Sequence, residues 1–336
     1  MTHHKLSKDP NMNTAGTHRL FAIARNLACA FVAASAFSLT ANAATLATAS
    51  PQTSFASPEE AVKALLAAAK SGDAKSLLGI LGPDAKSIVQ SGDAVADRAG
   101  LERFVKTYEE ASKLEKSGDT KTILAIGKDG WPFPIPLVRD TAGWRFDTKA
   151  GKEEILNRRI GRNELSTMQA VLAYVDAQRE YYLANPQRDK LFQYAQKFVS
   201  TQGKRDGLYY PTKAGEPSSP LGAIYASARA AGYGKGKADA AGTTPVYHGY
   251  HYRILKGQGP DAPGGAYDYI VQGRMIGGHA LIAWPAIYGN SGVMTFIVNH
   301  DGAVYEKDLG PGTAAAAQKI TKFNPDKTWK RAKEGI

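Results

Sequence analysis

The 336-residue sequence predicts an α+β fold, and three observations support this prediction. Apolar residues first recur at helical spacing between residues 58 and 114. Short strand-like runs separated by turn residues follow up to residue 147, and a long helical stretch then leads into tyrosine-rich strands. Helices that precede an antiparallel sheet are typical of the α+β class, because parallel sheets alternate strand and helix along the chain.

These changes of pattern divide the chain into five segments. They are a signal peptide (1–43), a linker (44–55), a domain of helices and a curled antiparallel sheet (56–150), a domain of one long helix packed on an antiparallel sheet (151–325) and a tail (326–336). Two folded domains agree with the length of the chain, since domains usually span about 100–200 residues.

The first segment has the features of an export signal. Arg19 and Arg25 precede an uncharged, mostly apolar run at residues 27–39, and Ala41-Asn42-Ala43 supplies the small residues that signal peptidase requires. The run is shorter than the roughly 20 apolar residues that a membrane-spanning helix needs. We therefore expect cleavage after Ala43 and export to the periplasm, and we do not expect the cleaved protein to be an integral membrane protein.

Removal of the leader changes the chemistry of the chain. Its single cysteine, Cys29, lies inside the leader, so the cleaved chain has no thiol and no disulfide. The leader carries +3 of the net charge of +11, which leaves +8. This charge favours an envelope protein, glycan or lipid as partner. No nucleic-acid-binding motif is found, so we expect no nucleic acid. The sequence does not decide whether translation starts at Met1 or at Met12.

The first domain is predicted to contain three helices followed by three strands. Ser57 can cap the first helix, Pro58 suits its first position and Glu60 completes a capping box. Helices are predicted from residue 58, at 74–81 and at 96–114, and strands at 122–126, 134–139 and 143–147.

The second domain is predicted to open with a charged bridge at residues 152–162 and a long helix at 164–184. A further helix is predicted at 189–199. Residues 202–244, which are rich in glycine, proline and serine, are predicted to form a long loop region that is interrupted by a short helix near 221–231. Five strands are predicted after it, at 249–255, 267–275, 279–284, 293–298 and 303–306, with a hairpin turn at 299–302.

Several short motifs together resemble one family. They are SGDAVADR (91–98), GEPSSPL (215–221), YHGYHY (247–252), AWPA (283–286) and GVMTFIVN (292–299) with VYEKDL (304–309). This set resembles a bacterial exported family catalogued as domain-of-unknown-function family 2950, over about residues 55–330. The resemblance implies an envelope protein and supplies no activity. An aromatic residue is usual in the family at the position of His279, which argues against a catalytic role for it.

Two remoter resemblances concern the separate halves. The helix–Gly-Asp–helix opening and the GWRFD segment (143–147) resemble the cone-shaped NTF2-like fold. That fold often holds an apolar pocket, which implies an alternative function as a small-ligand isomerase or hydrolase. Its pocket residues here would be Asp97, Tyr108, Trp131 and Trp144. Residues 163–310, a helix followed by a glycine-rich loop and an antiparallel sheet, resemble the globular head of type IV pilins.

The tyrosines suggest a binding surface. Eleven of the 16 tyrosines lie between residues 209 and 305, where their rings could either form an aromatic platform or pack within an ordinary sheet. We predict a non-enzymatic binding or interaction module, and a packing protein without any ligand is a third possibility. The predicted ligand-binding residues are Tyr209, Tyr210, Tyr247, Tyr250 and Trp284.

Motifs for catalysis or metal binding are not found in the sequence. There is no HExxH helix, paired cysteine, G-x-S-x-G elbow or phosphate-binding loop, so we predict no catalytic residues, no metal and no cofactor. His248, His279 and His300 could meet only if three strands converge. His300-Asp301 is better explained as part of a hairpin turn.

Overall fold

The computed structural model describes residues 52–233 and 246–332. The predicted signal peptide and most of the linker therefore lie outside the described residues. Within these ranges the fold is α+β, as predicted, with seven α-helices and fifteen short strands whose ladders are antiparallel.

Capping residues set the first helices where the sequence predicts them. Helix α1 (Pro58–Ser71) follows Ser57, whose hydroxyl accepts the Glu60 N–H at 3.2 Å, and the Glu60 carboxylate accepts the Ala56 N–H. Helix α2 (Ala74–Leu81) is capped by Asp73. A 3₁₀ turn and two α-helices follow, at Pro83–Ala85, Lys86–Val89 (α3) and Ala94–Glu110 (α4).

The first sheet has the order β1-β2-β4-β5, with β3 paired to β2. Its strands are β1 (Ser112–Lys116), β2 (Lys121–Ile126), β3 (Trp131–Pro132), β4 (Leu137–Asp140) and β5 (Gly143–Phe146). The prediction of a helix up to residue 114 is wrong at its end, because Leu114 belongs to β1 and lies opposite Leu124 of β2. Pairing with β2 and packing of Leu114 on the core decide this conformation, which local propensity does not favour.

Helix α5 (Thr148–Ala184) runs without interruption for 37 residues. The predicted charged bridge at 152–162 is therefore wrong, since these residues form the first turns of the same helix. The predicted domain boundary at residue 150 falls within α5, and the division into two domains stays a prediction. None of the helices in the described ranges is long and apolar enough to cross a membrane.

The main sheet has the order β15-β14-β13-β12-β7-β6. These strands are β6 (Val246–Tyr247), β7 (Tyr250–Leu255), β12 (Ala280–Pro285), β13 (Met294–Asn299), β14 (Val304–Asp308) and β15 (Lys330–Arg331). Strands β13 and β14 form the predicted hairpin across residues 299–302.

Two predictions in this half are wrong. Residues 189–199 form no helix and instead run as a loop, which bonds to Met275 through the N–H of Tyr194. The strand predicted at 267–275 is three short strands, β9 (Tyr267–Asp268), β10 (Ile270–Val271) and β11 (Arg274–Met275), of which β9 pairs with β8 (Gly257–Gln258). Helix α6 (Gly222–Ala231) agrees with its prediction, whereas α7 (Thr313–Lys319) was not predicted.

The main sheet is buried on both faces. Alternate residues of β12 point to opposite sides, so that Leu281 and Ala283 pack with α5 while Ile282 and Trp284 pack in a second core with Phe323. All six residues of β12 are buried. The buried face of α5 centres on Val171, Tyr174, Gln178 and Tyr181.

Asp93 connects α4 to the main sheet through buried hydrogen bonds. Its side chain accepts the N–H of Ala96 at 3.0 Å, the N–H of Gly249 at 2.9 Å and the hydroxyl of Tyr233 at 2.8 Å. Asp93 is 3 % exposed. A buried carboxylate is tolerated when hydrogen bonds replace its hydration, and these three contacts supply that replacement.

Two charged side chains of α5 extend this connection. Arg159 donates to carbonyl groups of the α3 segment and to the side-chain oxygen of Asn290. Glu164 accepts the N–H groups of Val293 and Met294, each at 2.9 Å. The polar residues of α5 thus hold the end of the β12–β13 connection against the helix.

Candidate functional site

The five predicted aromatic residues do not form one continuous surface. Tyr210, Tyr250 and Trp284 are 6, 0 and 2 % exposed, and they belong to cores on opposite faces of the main sheet. Tyr209 and Tyr247 are half-buried. Among the described residues no two of these five rings are in direct ring contact. A ligand-binding role for these five residues stays a prediction.

Tyr209 and Tyr247 each pack in a local aromatic group. The ring of Tyr209 stacks on Tyr225 of α6, with centroids 3.7 Å apart. Tyr247 contacts Tyr233 and His248, with centroid distances of 5.2 and 4.1 Å. Burial raises the pKa of the Tyr247 hydroxyl. Both groups join loop residues to the fold, which accounts for part of the tyrosine content of this half.

The residues of the alternative pocket lie apart. Asp97, in the first turn of α4, accepts the N–H of Ser91 at 2.9 Å. Burial raises the pKa of its carboxyl, while hydrogen bonds from Ser91 and the charge of Arg159 oppose this change. Trp131 is 62 % exposed on β3, and Trp144 is paired with Phe55.

Tyr108, the fourth of these residues, contacts Phe104 within the first core. Side chains fill the space between α1, α2 and the first sheet, and the largest of them include Leu77, Leu124, Leu137 and Phe146. The structure therefore does not bring Asp97, Trp131 and Trp144 together around a common cavity.

The histidines converge only in part. His279 and His300 meet with ring centroids 6.1 Å apart, whereas His248 lies in the β6–β7 turn beside Tyr247. Burial lowers the pKa of His248, and the charge of Asp93 opposes this. Within residues 52–233 and 246–332, no three His, Cys, Asp or Glu side chains are arranged to hold a metal ion.

A groove that sequence analysis did not identify lies between the first sheet and the start of α5. Its volume is about 310 Å³, at the lower end of the range for small-molecule sites. We call it the proline groove. Its lining residues are Lys121, Ile123, Pro132, Phe133, Pro134, Pro136, Ala150, Glu154 and Arg158.

The proline-rich segment at residues 132–136, which begins at the last residue of β3, forms one wall of the groove. Pro132, Pro134 and Pro136 alternate with other residues and have no N–H to donate, so the segment cannot form a complete ladder. It is held at two points, where Phe133 N–H donates to Leu124 and where the Pro136 carbonyl accepts from Asp147. The result is an apolar wall that few hydrogen bonds tie to its neighbours.

The opposite wall is one face of α5. Ala150, Glu154 and Arg158 are four residues apart and therefore share a face of the helix. Gly151 lets the helix approach the proline-rich segment, because a Cβ atom there would lie 2.3 Å from the Pro134 carbonyl oxygen. This close contact fixes the distance between the two walls.

Charged side chains surround the apolar floor. Arg158 Nε donates to Glu154 at 2.6 Å, and both side chains are about half exposed. Lys121 is exposed and has no ion pair among the described residues. The groove thus combines apolar walls with two cations and one carboxylate at its edge, which suits binding of a small molecule.

The sequence contains a signal for this site that none of the catalytic or metal-binding motifs includes. Trp131-Pro-Phe-Pro-Ile-Pro136 places three prolines at alternate positions beside two aromatic residues. Proline within a strand pattern indicates an edge or an unpaired segment. Such a segment presents apolar rings without a neighbouring strand, but only the tertiary structure places α5 across it.

Comparison with known proteins places the chain in a family. Residues 52–332 match a family model described as "Protein of unknown function (DUF2950)", in agreement with the resemblance of the sequence motifs. No curated protein and no solved structure matches the chain. The similarities to NTF2-like and pilin-like folds and the bacterial origin therefore stay predictions.

Proposed function

Because the chain belongs to this family of proteins of unknown function, we infer its role from its own residues, and we propose a non-enzymatic binding module of the bacterial cell envelope. Its site would be the proline groove, which would hold a small apolar molecule. The observation that carries this proposal is a groove of about 310 Å³ whose walls are proline, phenylalanine, isoleucine and alanine side chains.

The composition of the lining favours binding over catalysis. Its one carboxylate, Glu154, is paired with Arg158, and its remaining polar group is the Lys121 ammonium. Apolar surface that a ligand covers contributes roughly 25 cal/mol per Å² to affinity before the costs of association. A ligand that covers both walls of the groove would gain most of its affinity from this term.

The export part of the proposal rests on residues 1–43. The basic residues, the apolar run and the small residues before Ala44 are those of a cleaved leader. When the full-length protein is expressed in a bacterial host, we expect it in the periplasmic fraction with Ala44 as its first residue, as determined by N-terminal sequencing. A periplasmic or membrane-bound form that retains residues 27–39 would contradict cleavage after Ala43.

Binding in the groove can be tested with N-phenyl-1-naphthylamine, a neutral dye that fluoresces in apolar surroundings. We expect the protein to bind the dye, and Ala150→Phe to raise the dissociation constant about tenfold or more, since the added ring occupies the groove. Ala150 is exposed, so the cost to stability should stay near the roughly 0.5 kcal/mol of lower helix propensity.

Ala226→Phe is the matched control, because it adds the same ring at an exposed position of α6 outside the groove lining. It should leave dye binding unchanged. If the dye does not bind, or if both variants bind it as well as the original protein, the proline groove is not the ligand site.

A further inference from the structure

The edge of the proline groove is set up to receive negative charge. Arg158 bonds to Glu154 through Nε alone. A guanidinium group has five N–H donors, so both terminal nitrogens of Arg158 stay available to a ligand. Lys121 adds a second cation without an acidic partner among the described residues. One carboxylate therefore stands against two cations at the edge.

More positive charge lies immediately beyond this edge. Arg162 is one turn further along α5 than Arg158, and the positive charges of Arg103 and Arg158 act on it. Desolvation and then these two like charges lower the pKa of Arg162. Like charges held close together repel one another, so an anion bound beside them would relieve that repulsion.

This inference rests on the proposed binding function of the groove, which does not specify a class of ligand. The positive charges at its edge indicate which class would bind. We propose that the ligand is a single-chain amphiphile with an anionic head group, such as a carboxylate or a phosphate. The chain lies between the proline-rich wall and α5, and the head group accepts hydrogen bonds from Arg158 and Lys121. Arginine suits this role, because its planar guanidinium can bind carboxylate or phosphate through two parallel hydrogen bonds.

The shape of the site argues for single molecules rather than for a polymer. A cavity of about 310 Å³ is near the minimum for a small molecule. Its apolar lining consists of proline, phenylalanine, isoleucine and alanine side chains, which offer no hydrogen bonds to the hydroxyl groups of a glycan.

The test uses two probes that differ only in their head group, octanoate and 1-octanol, titrated by calorimetry into the full mature chain. We expect octanoate to bind about tenfold more tightly, as one or two hydrogen bonds to a charged group would provide. Arg158→Gln should remove most of this preference, and Lys121→Gln should remove part of it. In both variants the affinity for octanoate should fall by a larger factor than the affinity for octanol or for the dye, because neither octanol nor N-phenyl-1-naphthylamine carries a charge.

Arg98→Gln is the matched control. Arg98 is also an exposed arginine whose Nε bonds to a glutamate four residues away, Glu102, but it lies outside the groove lining. It should preserve the preference for octanoate. Equal affinity for octanoate and octanol, or an equal effect of Arg98→Gln and Arg158→Gln, would overturn the anionic ligand while the dye result still supported the groove.

Two further outcomes would also overturn the proposal. If the original protein binds neither octanoate nor the dye, both the proposed binding function and the proposed ligand class are wrong. The protein could instead sediment with phosphatidylglycerol vesicles without binding octanoate. If Ala150→Phe sediments with the vesicles equally well, the positive charge serves a membrane surface and not the groove. Two results together would support the proposed anionic ligand. Ala150→Phe should abolish octanoate binding, and Arg158→Gln should lose the preference for octanoate over octanol.

Discussion

Acidification from pH 8 to pH 4 is expected to destabilise the protein by about 3 kcal/mol through His279 alone. The side chain is 2 % exposed and packs between Tyr174 and Tyr194, with ring centroids 5.5 and 4.7 Å away. Its Nδ1 is buried without a hydrogen-bond partner among the described residues. Burial, and then the charges of His300 and Arg179, lower its pKa from 6.5 to about 3.

The direction of this effect follows from proton binding in the two states. Below pH 6.5 His279 becomes protonated in the unfolded chain, whereas in the folded protein it stays neutral until the pH approaches 3. Stability is therefore unaffected by this group above pH 6.5 and falls progressively between pH 6.5 and pH 3. Tyr174, Tyr194 and Tyr269 face the histidine pair and stay neutral over this range.

His279→Phe tests this prediction by urea denaturation at both pH values. Phenylalanine keeps a ring among the neighbouring rings and removes the titration. At pH 8 the free energy of unfolding should stay within about 1.5 kcal/mol of the original value. At pH 4 the variant should be more stable than the original protein by about 3 kcal/mol, relative to their difference at pH 8. Parallel acid profiles for the two proteins would show that His279 does not control acid stability.

Asp93→Ala is expected to lower the free energy of unfolding by about 3 kcal/mol or more. The substitution removes the N-cap of α4, which is worth about 1 kcal/mol. It also leaves the Gly249 N–H and the Tyr233 hydroxyl without their partner. The Gly249 N–H is buried, and an unpaired buried group costs about 1–3 kcal/mol. The Tyr233 hydroxyl is half-buried and keeps a hydrogen bond with the backbone of His248, so that its share of the loss is smaller.

Asp73→Ala separates the cap from the buried contacts. Asp73 also caps a helix, α2, but it lies at the surface and accepts hydrogen bonds only from Lys75 and Ser76 nearby. Its loss should cost only about 1 kcal/mol. Asp93→Asn, which keeps one acceptor oxygen, should fall between the two alanine variants. Equal losses in Asp73→Ala and Asp93→Ala would mean that the contacts to Gly249 and Tyr233 contribute nothing.

Much of the fold could be predicted where short-range signals act alone. Ser57 and Asp73 cap α1 and α2 through hydrogen bonds to the next few residues, so the starts of these helices can be predicted from residues that are close in sequence. The hairpin at residues 299–302 is predictable for the same reason, because turn residues lie between two apolar runs. Such contacts span few residues and do not depend on the rest of the chain.

Predictions failed where distant contacts outweighed local preference. Residues 112–116 carry three charged side chains and a single leucine, yet they form β1 because β2 is available for pairing. Residues 189–199 resemble a helix, but the loop bonds instead to Met275 and to the buried Gln178 of α5. The five aromatic candidates lie in separate places because β12 and β7 are covered on both faces, which could not be known without α5 and the α7 segment in place.

The sequence by itself determined the α+β class, the family, the first two helices and the signals of an export leader, since each depends on residues close together in the chain. Only the tertiary structure decided that α5 begins at Thr148, that Gly151 lets it approach Pro134, and that Arg158 therefore stands at the edge of an apolar groove. The physical reason is that a groove belongs to two walls distant in sequence. Neither the three prolines nor one face of a helix forms a cavity until packing sets the space between them.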